Sequence, residues 1–66
     1  MELERTDMFS VGDRVSSQFK VDDTDIIIDN VFDADGNIVD YEYSVLSGYI
    51  TVYCDTEKIM IKLKNG

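Results

Sequence analysis

The 66-residue chain is 44% apolar, has no histidine or proline and only one cysteine, and carries a net charge of −8. A domain of this size buries only about 60% of the surface its unfolded chain exposes, so the core is small and nothing large is enclosed. A lone Cys54 excludes an internal disulfide, and the lack of any Cys/His cluster excludes a zinc staple, which leaves apolar packing to hold the fold, with self-association as a supplement.

The charge is unevenly spread. Residues 1 to 20 carry four acids and three bases, residues 21 to 57 carry ten acids and no base, and residues 58 to 66 carry Lys58, Lys62 and Lys64 with no acid. Most of the chain would repel nucleic-acid phosphates, so no direct nucleic-acid partner is expected. The first ten residues, MELERTDMFS, mix charge signs and lack the apolar segment of a secretory signal, and no later apolar run approaches the roughly 20 residues that cross a bilayer. No membrane partner is expected, and the expected compartment is cytoplasmic.

Residues 1 to 10 read as a tail or a short helix, with Leu3, Met8 and Phe9 able to plug one end of a single small β domain over residues 11 to 66. From Gly12 onward the apolar pattern has period two and is rich in Val, Ile, Tyr and Phe, which predicts an all-β fold. The first predicted strand carries Val15, Ser17, Phe19 and Val21 on one face and breaks at Asp22 to Asp25. The second, Ile26 to Ala34, meets the third, Asn37 to Leu46, across Asp35-Gly36, a type I′ turn signal because glycine takes φ > 0 freely and Asp tolerates it.

Register follows from the face pattern, since a one-residue slip inverts every side chain. A two-residue loop at Asp35-Gly36 sets Phe32 against Val39, Asn30 against Tyr41 and Ile28 against Tyr43 on an inner face. Asp29 then faces Glu42, and Val31 faces Asp40, on the outer one. Two-residue loops at Ser47-Gly48 and Asp55-Thr56 carry the inner face on through Ile50, Val52, Cys54, Ile59 and Ile61, with Tyr53 outward opposite Lys58 and Tyr49 opposite Lys62. The expected architecture is a five-stranded antiparallel meander, strongly bent or curled into an SH3-like barrel.

The stretch "VGDRV", Val11 to Val15, resembles the first strand of small SH3-like barrels of the KOW and Tudor kind, where a Gly-Asp pair opens strand one. That resemblance implies a binding module and not a catalyst. The glycines that often follow that strand are absent here, and residues 21 to 57 have no counterpart to the basic and aromatic nucleic-acid surfaces of some of those families.

Five features could carry chemistry. The hairpin "DADGNIVDYE" partly fits a calcium loop, with Gly36 at the invariant glycine and Asp33, Asp35 and Glu42 at ligand positions, but Val31 would occupy the first position and has no side-chain oxygen, and the flanks have strand period where helices are required. No metal and no cofactor is therefore expected. Asp29, Asp33, Asp40 and Glu42 form an outer acidic face, which either keeps a small β protein soluble or meets a basic partner. Tyr49 and Tyr53, with Leu46 and Met60 nearby, either pack over lysine stems or anchor an interface, a homodimer among the options. Cys54 reads as a small inward residue with no histidine to activate it, and Ser16 and Ser17 lack a base. Catalysis is not expected.

The functional expectation is a non-enzymatic acidic module whose candidate contacts, Asp29, Asp33, Asp40, Glu42, Tyr49 and Tyr53, dock a basic surface of a partner protein. One form of it resembles, in composition, the small acidic inhibitors that mimic DNA, often phage-encoded. The rival is a structural subunit that self-associates through the Tyr49, Tyr53 and Met60 face.

Overall fold

Alternating polarity says which face of a strand is wet, but leaves open which strands pair. In the computed structural model, which describes residues 1–22 and 25–64, the chain forms seven strands and no helix: β1 (Glu2–Glu4), β2 (Asp7–Val11), β3 (Arg14–Lys20), β4 (Ile28–Phe32), β5 (Tyr41–Ser44), β6 (Tyr49–Val52) and β7 (Lys58–Leu63). They make two antiparallel sheets, one ordered β1-β7-β4 and the other β2-β3-β6-β5, which do not close into a barrel. The all-β expectation holds, whereas the single five-stranded meander does not. No helix among the described residues is long and apolar enough to cross a membrane. The predicted break at Asp22 to Asp25 includes Asp23 and Thr24, which lie outside the described residues, as do Asn65 and Gly66.

The N-terminal ten residues are strand rather than tail or helix. Leu3 pairs with Ile59 along β7 and packs against the core, and β2 pairs with β3 from Asp7↔Gln18 to Val11↔Arg14. Gly12-Asp13 is therefore the two-residue turn of a hairpin, not the opening of a first strand. Gly12 has φ of 62° while no non-glycine among the described residues has positive φ, Asp13 included, the pattern of a type II′ turn, which suits the twist of its flanking strands. Between β1 and β2 the chain passes from one sheet to the other, held by Arg5 N donating to Glu57 O at 2.9 Å and Thr6 N to Gln18 O at 2.8 Å.

The Asp35-Gly36 turn has three loop residues, not two. Asp33 N donates to Asn37 O at 2.9 Å, and the Asp33 Oδ1 accepts from the backbone N of Asp35 and of Asn37, each at 2.9 Å. An aspartate that bonds its own turn in this way stabilises the longer loop, and Gly36, at φ of 85°, supplies the left-handed residue it requires. Beyond one bridge, Phe32↔Ile38, and the bond from Val39 N to Val31 O at 2.9 Å, the hairpin opens: β4 joins β7 and β5 joins β6.

A bulge between Ile28 and Asn30 also changes the phase of β4. Ile26 and Ile28 pack on the core before it and Val31 is fully buried after it, so Val31 points inward where strict alternation sent it out. The β5–β6 connection has four residues, Val45 to Gly48, and pairs Tyr43 with Ile50 and Tyr41 with Val52. This differs from the expected register by two positions, an even number that preserves the inner face.

Both sheets contribute to the core. Phe19, Val21, Ile50 and Val52 come from the four-stranded side and Val31, Ile59 and Ile61 from the three-stranded side, all at most 2% exposed. Cys54 to Glu57, expected as a hairpin turn, instead carries the chain between sheets through a buried polar joint. Ser17 Oγ donates to Cys54 O at 2.7 Å and lies 3.4 Å from the Thr56 N–H, while Thr56 Oγ1 donates to Lys58 O at 2.8 Å and accepts from Ala34 N at 3.2 Å. Ser17→Ala leaves the Cys54 carbonyl and the Thr56 N–H without that partner, so urea unfolding should show a loss of about 1–3 kcal/mol. The exposed Ser10→Ala should stay within about 0.5 kcal/mol.

Candidate functional site

The two sheets disperse the six candidate contacts. Asp29 lies on β4, where its carboxylate is 3.7 Å from the Lys62 ammonium across β7. Asp33 spends one oxygen on its turn. Tyr49 pairs with Lys20 across β3, with the ammonium 5.9 Å from its ring. The expected pairs Tyr53 with Lys58 and Tyr49 with Lys62 do not form, because β6 and β7 belong to different sheets, and Lys58 instead stands 3.8 Å from Glu2. For the same reason Asp29 does not face Glu42, and Met60 does not share a surface with Tyr49 and Tyr53. The continuous acidic face and the continuous tyrosine patch are both corrected.

What remains together is Asp40, Glu42 and Tyr53. They line an open groove of about 500 Å³ with Arg14, Asn30 and Ile38, at the place where the β4–β5 hairpin splits. The groove has the volume of a small-molecule site but no enclosure, with charged side chains at its rim. Arg14, which follows the Gly12-Asp13 turn, sets its guanidinium 4.5 Å from the centre of the Tyr53 ring. Behind this stack a second depression of about 360 Å³ holds Phe9, Ser16 and Thr51, so Arg14 and Tyr53 form the wall between the two. Glu42 lies opposite Thr51 on β6, which in turn lies opposite Gln18 on β3.

Electrostatics tie the group together. A hydrogen bond to Glu42 raises the pKa of the Tyr53 phenol above its ordinary value, with partial desolvation and the Glu42 charge adding to it and Arg14 opposing. No lysine or arginine forms an ion pair with Asp40 or Glu42 among the described residues, whereas Glu2, Asp29 and Asp55 each have one. Large apolar side chains stand exposed at both ends of β5, with Ile38 before it and Val45 and Leu46 after it. Phe9 and Arg14 were not legible as site residues. Treating Gly12-Asp13 as a hairpin turn would have placed both beside Ser16.

Cys54 is half-buried against the core, and burial, then the Asp33 and Asp55 carboxylates, push its thiol upward and away from the reactive thiolate. The calcium-loop residues do not assemble: Asp33 bonds its own turn, Glu42 is on the other sheet, and among the described residues no group of three or more potential ligands is placed to hold a metal ion. The chain matches no protein-family model, no curated protein and no solved structure.

Two outcomes are expected. Glu42→Ala removes both the acceptor and the charge that raise the Tyr53 pKa, so ultraviolet titration should show that phenol ionising at lower pH, closer to an ordinary tyrosine. Separately, the Tyr43 hydroxyl is buried with no hydrogen-bond partner among the described residues, an unmet desolvation cost. Tyr43→Phe should therefore raise stability by about 1 kcal/mol in chemical denaturation.

Proposed function

We propose that the protein is a non-enzymatic binding module that docks a basic surface of a partner protein through β5 and its flanks. The observation that carries this reading is the placement of Asp40 and Glu42, two carboxylates with no ion pair among the described residues, beside Tyr53 in one groove lined by exposed Ile38, with exposed Val45 and Leu46 following the far end of β5. Apolar anchors beside two carboxylates that outnumber the one groove cation, Arg14, suit association, because the charge raises the encounter rate while the apolar contacts hold the complex. The absence of any base between Lys20 and Lys58 extends the attraction around the site. Asp29, Asp33 and Tyr49 are peripheral in this reading, since none of them lines the groove.

The double variant Asp40→Lys/Glu42→Lys, folded by circular dichroism, should lose proteins that the native chain captures from lysate and releases with salt. An unchanged set of captured proteins overturns the reading. If the captured protein binds nucleic acid and duplex DNA competes with the module, the DNA-mimic form is the right one.

A further inference from the structure

We infer that β5 takes up an extended, basic segment of the partner as an added antiparallel strand, with lysine or arginine at alternate positions. This rests on the docking reading above and specifies its mode. β5 is the outermost strand of the four-stranded sheet, hydrogen-bonded on one side to β6. Val39 N bonds Val31 O, so backbone alternation turns the N–H and C=O groups of Tyr41 and Tyr43 to that same side, where β4 has splayed away and no described strand pairs with β5. Ser44 O accepts from Gly48 N on the opposite side, consistent with this alternation. The edge thus presents backbone donors and acceptors for a strand to meet, the arrangement used in strand addition.

Side chains then determine what can add. On the outer face an incoming strand sets two residues, two positions apart, against Asp40 and Glu42, and opposite charges there stabilise the pair whereas like charges oppose it. Between them its residues fall beside Tyr41 and Tyr43, both half-buried against the core, so apolar side chains fit. The sequence pattern is basic, apolar, basic, apolar. A second copy fits poorly at this edge. β5 would bring Asp40 and Glu42 against their own kind, and the other outer strands, β1, β2 and β4, carry Glu2 and Glu4, Asp7, and Asp29.

The test uses the peptide Lys-Val-Lys-Val-Lys-Val and its analogue N-methylated at the valines, the residues whose N–H groups would point at β5. Titrated into isotope-labelled protein, the parent peptide should slow amide exchange at Tyr41 and Tyr43 at least tenfold, and N-methylation should weaken binding at least tenfold. Equal binding of both peptides without protection of those amides overturns strand addition and leaves docking by side chains standing. No binding of the parent peptide also overturns it, and the charge-reversal capture experiment then decides the broader reading independently. Protection of Tyr41 and Tyr43 that rises with protein concentration in the absence of peptide would assign the edge to a second copy, again against this inference.

Discussion

Ser17 and Thr56 hold the point on which the two sheets depend. Ser17 belongs to β3 of the four-stranded sheet, Thr56 lies in the crossing that leads to β7, and Ala34, which donates to Thr56, sits in the turn that follows β4. Both side chains are buried, at 0% and 6% exposure. Their hydroxyls satisfy carbonyls and amides that a chain leaving one sheet for another would otherwise bury unpaired, at a cost of about 1–3 kcal/mol for each such group. A small apolar core tolerates the sheet switch because this joint exists. The neighbouring crossing at Arg5 and Thr6 lies against the same segment, through Glu57 O and the Arg5–Asp55 ion pair at 2.9 Å. That ion pair is mostly solvated on the Asp55 side and adds little by itself.

How much was legible in the sequence differs by level. Period two correctly sent Phe19, Ile50, Val52, Ile59 and Ile61 inward, because burial of one face is a local property of a strand. Partner choice is not local. Ile59 satisfies the inward rule equally well beside Val52 in a meander or beside Leu3 in a separate sheet, and only Ser17 and Thr56 distinguish the two. Val31 escaped because a bulge needs no special residue. The loop at Asp35-Gly36 came out one residue longer because the Asp33 carboxylate competes for the turn amides. The N-terminal strands are hidden because residues 1 to 10 lack the clear period-two pattern that begins after Gly12, although Leu3 and Phe9 sit at positions that edge strands also use.

The candidate site shows the same division. Glu42 on β5 and Asp40, two residues before it and just ahead of the strand, come to one groove from local sequence alone, whereas Asp29 and Tyr49 needed a correct strand order to be placed. Arg14 is the instructive omission. Arg14, set 4.5 Å from the centre of the Tyr53 ring, fixes one wall of the groove beside Glu42 before any partner arrives. Preorganisation of this kind lowers the ordering cost of association.

The position of β7 between β1 and β4 bears on how the chain reaches this state. The first strand and the fourth have no ladder partner in their sheet until residues 58 to 63 exist, so Leu3, Ile28 and Val31 must wait, uncovered, for a strand made much later. Closing contacts so distant along the chain is entropically slow and leaves apolar surface open to other molecules in the interval. During synthesis the acidic run from Asp22 to Glu57 then sets like charge on neighbouring nascent copies while Ile59 and Ile61, two of the seven buried apolar residues, are still absent. Like-charge repulsion of that kind acts on the unfinished chain whether or not a partner exists.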